Sequence, residues 1–291
     1  SQQQKDALYA ALKKEVERGV DTYWLSKPLR TGVGHKHSLN FEGGDDFIRY
    51  NINVSYNNVA GVMKGSDRET FGGGFTFSYR YKSLLFREQL SLLHNKADNS
   101  PYGSFSDYSK LNPYWRTRNE DGTIREVLNP IEVENGYDPV YNPLINKSLN
   151  TIDESKYTDI TNNFYIEWSA FDDLKVTGRL GFTSRTDESD VFYPRDHTMF
   201  RGIDVTDDKY FRRGQYTKSN GKLKNLTTDI ALNYSKTLDK HVLFANAQWS
   251  LGETKSRTIN WIISRMPVNI LRTGNLAEAS LCPVKPAFWF P

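Results

Sequence analysis

The feature that most constrains the fold is a two-residue alternation of apolar and polar side chains, which recurs along most of the chain after Pro28. Successive side chains of a β-strand point to opposite faces, so each such segment predicts a strand with one apolar and one polar wall. About eight strands are predicted in this way, at 36–43, 46–57, 70–82, 84–95, 162–170, 174–185, 225–234 and 241–251. Before them, Leu8, Leu12 and Val16 recur every four residues and predict a short helix that ends near Gly19.

The lengths of the connections narrow the choice of fold. Every second connection is a tight turn, and those between them are long, at 58–68, 96–158 and 186–221. A transmembrane barrel has this arrangement because its short turns collect on the periplasmic side and its long loops on the outside. The sequence therefore favours an all-β fold, an antiparallel up-and-down transmembrane β-barrel with a short N-terminal helix. A soluble carbohydrate-binding β-sandwich is the alternative, and an outer-membrane barrel enzyme is a third option.

Composition excludes several other classes. The 38 Lys+Arg nearly balance the 35 Asp+Glu, so the net charge of +3 gives no reason to expect a nucleic-acid partner. No apolar run approaches the roughly 18 residues that a membrane-spanning helix needs. The single cysteine, Cys282, excludes an intramolecular disulfide and a multi-cysteine zinc site.

The sequence predicts no catalytic, metal or cofactor site. His35 and His37 share a face of a strand, but no third metal ligand accompanies them. The carboxylate pairs at 45–46 and 172–173 lie in tight turns, where Asp is favoured for local hydrogen bonding, and the pair at 207–208 lies in a long loop. The expectation is therefore a protein that is not an enzyme.

The long loop at 96–158 is the candidate binding region. Its aromatic residues are interleaved with Asn and Asp, and aromatic faces can stack on a ligand while amides and carboxylates bind its polar groups. The predicted ligand-binding residues are Tyr102, Tyr108, Tyr114, Trp115, Tyr137 and Tyr141. A loop that packs on itself is the equally weighted alternative.

Several stretches resemble one known family, and the likeness extends over about 15–255. They are GVDTYWL at 19–25, LRTG at 29–32, HSLNFEGG at 37–44, GVMKG at 61–65, YSKLNPY at 108–114 and NPL at 142–144. These resemble the SusC/RagA-family TonB-linked outer-membrane receptors. The resemblance implies that this chain is a fragment of a barrel. In the family, an export signal, a small extension domain, a TonB-contacting segment and a plug come before this part, and further strands come after it.

The resemblance also implies function, location and partners. It implies an energised importer of glycans or other nutrients in the cell outer membrane, surrounded by outer-membrane lipid. A SusD-like surface lipoprotein and TonB would be its protein partners, through parts of the parent protein that this chain lacks, and an oligosaccharide or peptide its ligand. The fragment alone is not expected to transport.

The chain divides into three parts on this interpretation. Residues 1–32 form the helix and a linker into the barrel, and residues 33–255 form the partial β-barrel. Residues 256–291 depart from the family pattern. Residues 261–264 are still compatible with a strand, but beyond them the alternation is lost, and Pro283 cannot donate to a strand ladder. One interpretation of this tail is an out-of-frame product, and the other is an ordinary loop at a truncation point.

Overall fold

The structure, a computed structural model, describes residues 2–134, 136–203 and 206–264, and these residues form one antiparallel sheet. The sheet has eight strands in the order of the chain, so each strand pairs with the strand before it and the strand after it. The strands are β1 (Gly34–Gly44), β2 (Ile48–Ala60), β3 (Asp67–Tyr81), β4 (Leu84–Asp98), β5 (Ile152–Phe171), β6 (Leu174–Tyr193), β7 (Gln215–Leu238) and β8 (His241–Ser264).

The connections alternate between short and long, as the sequence predicts. Strands are joined by tight turns at 45–47, 82–83, 172–173 and 239–240, and by longer links at 61–66, 99–151 and 194–214. Lys82 and Asp239 hold left-handed backbone φ angles of 51° and 53°, a conformation typical of two-residue hairpin turns. All short turns therefore lie at one end of the sheet and all longer links at the other.

The sheet is open, and this decides between the predicted fold classes. β1 and β8 are its two edges, and neither pairs with the other among the described residues. A β-sandwich needs two sheets packed face to face, whereas the described strands form a single sheet. The prediction of an incomplete up-and-down barrel of about eight strands is confirmed, and the sandwich alternative is wrong.

Helices are few among the described residues and lie outside the sheet. α1 (Gln2–Glu17) is the predicted N-terminal helix, and Gly19 follows it with a φ of 75°. A positive φ just past a helix favours glycine, because in other residues the Cβ would lie too close to the backbone in this conformation. The loop at 99–151 contributes two one-turn helices, α2 (Phe105–Ser109) and α3 (Pro130–Glu134). No described helix is both long and apolar enough to cross a membrane.

The principal hydrophobic core lies beside the sheet rather than on it. Trp24, Tyr108 and Leu128 are its buried residues, and they come from the segment before β1 and from the loop at 99–151. We call residues 18–33, 61–66, 99–134, 136–151 and 194–203 the loop region, which lies at the end of the sheet with the longer links. A smaller core pairs Phe192 with Tyr216 near the same end.

The strands are longer than the alternation predicts. β5 begins at Ile152, β6 continues to Tyr193 and β7 begins at Gln215, so the links shrink accordingly. Beyond the alternating segments most side chains on both faces of these strands are polar, and a mostly polar strand carries no alternation to detect. β8 continues to Ser264, and the rest of the tail, residues 265–291, lies outside the described residues.

Candidate functional site

One face of the sheet, which we call the apolar face, collects the hydrophobic side chains of all eight strands. The pairing register places them on one side because directly opposed residues share a face. They include Leu39, Phe41, Ile48, Tyr50, Ile52, Val54, Phe71, Phe75, Phe77, Tyr79, Tyr81, Leu84, Phe86, Leu90, Ile160, Phe164, Ile166, Trp168, Val176, Leu180, Phe182, Leu226, Ile230, Leu232, Trp249 and Leu251.

The described residues leave this apolar face uncovered. Ile52 is 40% exposed, Ile230 is 45% exposed and Trp168 is 50% exposed, although all three belong to interior strands of the sheet. Contiguous exposed apolar surface of this size marks contact with another protein or with lipid. The face therefore needs an apolar environment that this part of the chain does not itself supply.

The apolar band has the length of a membrane crossing. Apolar side chains span 48–56 in β2, 71–81 in β3, 160–168 in β5 and 226–234 in β7, in each case toward the end of the strand that has the short turn. About 9–11 tilted residues cross the hydrocarbon core of a bilayer. Tyr79, Tyr81 and Trp168 lie at the short-turn end of the band, where a barrel carries interfacial aromatic residues.

A hydrogen-bonded polar pair lies on the apolar face. The register puts Glu88 and Asn162 among apolar neighbours, and the Asn162 amide donates a hydrogen bond to the Glu88 carboxylate. A carboxyl group in an apolar environment is costly unless it finds a hydrogen-bond partner. The two side chains therefore compensate each other.

The opposite, polar face carries charged side chains arranged around a tyrosine. The guanidinium groups of Arg87 and Arg179 lie 5.8 Å and 5.7 Å from the centre of the Tyr165 ring, one on each neighbouring strand. Tyr165 donates a hydrogen bond to Glu167 over 2.7 Å, and Glu167 forms an ion pair with Lys175 at 3.1 Å. Such a surface suits contact with water or with polar groups rather than with lipid.

The structure brings three of the six predicted aromatic residues to the core of the loop region, since Tyr108 is buried in it and Tyr102 and Trp115 pack against it. Tyr108 is fully buried, its hydroxyl donates to the Tyr102 carbonyl over 3.0 Å, and burial raises the pKa of its phenol. Trp115 packs against the same core and donates its indole N–H to Glu132 over 3.0 Å. Tyr108 thus offers no surface to a ligand.

The other predicted aromatic residues lie nearer the surface. Tyr114 and Tyr137 are exposed, and the Tyr141 ring lies beside Gly202 of the next long link. Tyr102, which packs against the core, also lines a pocket. The structure therefore separates the six residues rather than gathering them into one platform. Their role in ligand binding stays a prediction.

Three Asn-Pro pairs organise the loop at 99–151, and sequence reasoning missed their role. Asn142 is fully buried, and its amide donates to the carbonyls of Thr117 and Arg125 while its oxygen accepts from the Leu144 N–H. Asn112 and Asn129, which precede the other two prolines, also accept backbone N–H groups. The repeated Asn-Pro sequence is the pattern that indicates this role, because proline restricts the backbone of the preceding residue and the Asn side chain forms hydrogen bonds with nearby backbone groups.

A pocket of about 400 Å³, which we call the cationic pocket, opens in the loop region. It is lined by Ser26, Lys27, Lys64, Tyr102, Thr117, Arg118, Ile124, Leu144 and Lys147. Four of these residues are cationic and none is acidic. The Lys64 ammonium lies 5.8 Å from the centre of the Tyr102 ring and donates to the Lys27 carbonyl over 2.8 Å.

A second pocket, of about 630 Å³, lies between the links at 61–66 and 194–214. Its lining includes Tyr193, His197 and Met199. The His197 ring accepts the Met199 N–H over 3.2 Å, which requires an unprotonated Nδ1, and burial lowers the pKa of this histidine. Within the described residues no group of three His, Cys, Asp or Glu side chains is arranged to hold a metal ion.

Comparison with known proteins finds likeness in structure only. No protein-family model matches the chain, and no curated protein matches it. A chain in the "Structure of the RagAB peptide transporter" has a TM-score of 0.66 and 14% identity, over 86% of this chain and 28% of that chain. Chains of the RagAB peptide importer in its closed-closed and open-open states have TM-scores of 0.64, with 15% and 14% identity over 84% of this chain.

These matches support the fold. At such low identity a structural likeness establishes architecture rather than activity. The chain spans 28%, 27% and 26% of the length of the three solved chains. It thus has the architecture of part of a transporter chain, which agrees with the resemblance of the sequence to the SusC/RagA receptors at the level of fold.

Proposed function

We propose that this chain forms part of the barrel wall of a TonB-dependent nutrient importer of the cell outer membrane. The uncovered apolar face carries this proposal, because it runs through all eight strands and has the width of a bilayer crossing. The polar face would then line a hydrated interior. The fold likeness to a peptide transporter adds independent support.

The loop region is the proposed external, ligand-facing part of the importer. It lies at the end of the sheet with the longer links, which is the outer end of a barrel of this class. The accessible aromatic residues Tyr102, Tyr114, Tyr137 and Tyr141 would contact a peptide or an oligosaccharide. A SusD-like surface lipoprotein and TonB are the proposed protein partners, and no catalytic step is part of the proposal.

Cell fractionation and uptake together test this function. The protein that contains this chain is expected in the outer-membrane fraction, resistant to carbonate extraction. A strain that lacks its gene should take up a labelled peptide mixture or a labelled oligosaccharide mixture more slowly, and the affected mixture identifies the ligand class. Recovery of the protein in the soluble fraction would refute the proposal, and unchanged uptake of both mixtures would refute the transport function.

A further inference from the structure

The cationic pocket holds more positive charge than its surroundings balance. Lys27, Lys64, Arg118 and Lys147 line it together, and no described carboxylate lies within 4 Å of their charged nitrogens. Like charges that share one cavity repel each other, and a bound anion relieves this repulsion.

Several other cations of the loop region are paired with carboxylates, whereas Lys110, Arg125 and Arg195, like the four of the pocket, have no described carboxylate within 4 Å. Arg30 binds Asp67 at 2.8 Å, Arg116 binds Glu15 at 2.9 Å, and Arg201 binds Glu126. Carboxylates are therefore present near the loop region, but they pair with cations outside the pocket. A cavity that keeps its cations unpaired is ready to accept an anionic group from outside.

The uncharged residues that line the cationic pocket indicate the nature of the rest of the ligand. Ile124 and Leu144 supply apolar surface, and Tyr102 presents a ring that Lys64 approaches from one side. An inorganic ion would use only the charges, whereas an organic ligand would use both kinds of surface. A volume of about 400 Å³ admits one residue of a peptide or one sugar ring of an oligosaccharide.

We propose that the cationic pocket binds a carboxylate group of the imported solute, which rests on the proposed function as an importer. The carboxylate comes from the C-terminus of a peptide or from an acidic sugar. Lys27, Lys64, Arg118 and Lys147 hold the anion, while Tyr102, Ile124 and Leu144 contact the organic part beside it.

Matched ligand pairs test this site in the detergent-purified natural protein that contains this chain. Calorimetry compares an acetylated apolar tripeptide with its C-terminal amide, and trigalacturonic acid with its methyl ester. In one of the two pairs, the free acid is expected to bind at least about tenfold more tightly than its amide or methyl ester, because a charge-assisted hydrogen bond is stronger than a neutral one. The pair that differs identifies the source of the carboxylate.

Two double variants separate the site from general charge effects. Lys27→Gln with Lys147→Gln removes two pocket charges whose side chains form no hydrogen bond or ion pair with the described residues, and it should abolish most of the preference for the acid. Lys110→Gln with Lys209→Gln removes two exposed lysines of the longer links, outside the pocket, and should leave the preference intact.

The outcomes distinguish this site from the proposed function. The carboxylate site is overturned if each acid binds no better than its amide or ester. It is also overturned if both double variants lose the preference for the acid equally. Neither result contradicts the proposed importer. Absence of binding by all four ligands also overturns the site. Only failure of outer-membrane location or of uptake overturns the importer itself.

Discussion

At the residue scale, buried amides hold the loop region together. Asn142 is fully buried, donates hydrogen bonds to the backbone carbonyls of Thr117 and Arg125 in other segments of the same loop, and accepts one from the Leu144 N–H two residues on. Removing such a side chain leaves each buried partner unsatisfied, at a cost of about 1–3 kcal/mol for each group.

The first prediction concerns this amide. Asn142→Ala should lower the free energy of opening of the loop at 99–151 by at least about 3 kcal/mol. Amide hydrogen exchange measured across that loop should therefore accelerate strongly. Asn119→Ala is the matched control, because Asn119 is exposed and bonds only its neighbour Thr123. Equal exchange in the two variants would show that Asn142 does not hold the loop.

A second prediction concerns pH and the link at 194–214. Burial lowers the pKa of His197 below its ordinary value of about 6.5, so the folded link binds fewer protons than the opened link. The free energy of opening should be constant above pH 6.5 and should fall as the pH drops from 6.5 toward the folded-state pKa. Protonation also removes the acceptor for the Met199 N–H.

Hydrogen exchange of residues 198–201 at pH 7.5 and pH 5.5, corrected for intrinsic rates, measures this effect. His197 caps the N-terminus of a short 3-10 helix, Thr198–Phe200, and His197→Asn keeps a side-chain acceptor at this position but cannot titrate in this range. The variant should therefore lose the dependence on pH. A wild-type link whose opening is the same at both pH values would contradict the prediction.

At the element scale, the sequence reveals the strands only where a membrane would make the two faces different. Within the apolar band the alternation locates all eight strands, and the tight turns between them fix the register. Beyond the band, toward the longer links, β5 to β7 extend by hydrogen bonding to each other and by charge pairs such as Lys218 with Asp190 at 3.3 Å. These pairs join residues far apart in sequence, so no local pattern predicts them.

The candidate site was less predictable for a related reason. Aromatic residues among Asn and Asp indicate a binding loop, but the sequence cannot tell a packed ring such as Tyr108 from an exposed one such as Tyr137. No local sequence pattern predicts the cationic pocket, because Lys27, Lys64 and Lys147 come from three separate segments. Only the folded loop region brings their charges together.

A third prediction follows from the difference between the two faces. Ile230→Arg places a charge in the middle of the apolar band of β7, which should cost about 2–4 kcal/mol in a bilayer. Thr227→Arg, three residues earlier on the polar face, should cost much less. The yield of folded protein in the outer membrane and its stability to urea measure both effects. A harmless Ile230→Arg would contradict contact between this face and lipid.

At the scale of the whole molecule, the two edges of the sheet do not match. β1 has 11 residues and β8 has 24, so most of β8 would stay unpaired even if the edges met. An unpaired strand edge in hydrocarbon leaves amide groups without water or protein partners, each at a cost of several kcal/mol. On the proposed membrane location, both edges therefore require further strands.

The last prediction follows from these edges. Residues 1–291, exported alone to the outer membrane, should aggregate or be degraded, because the described residues satisfy neither edge. The same residues within the longer natural protein should resist protease and migrate as a folded species in unheated gels. Expression of both forms at matched levels, followed by trypsin treatment and size-exclusion chromatography in detergent, makes the comparison. A monodisperse, protease-resistant monomer of the chain alone would mean that the eight strands close on themselves, and the wall of a larger barrel would then be the wrong description.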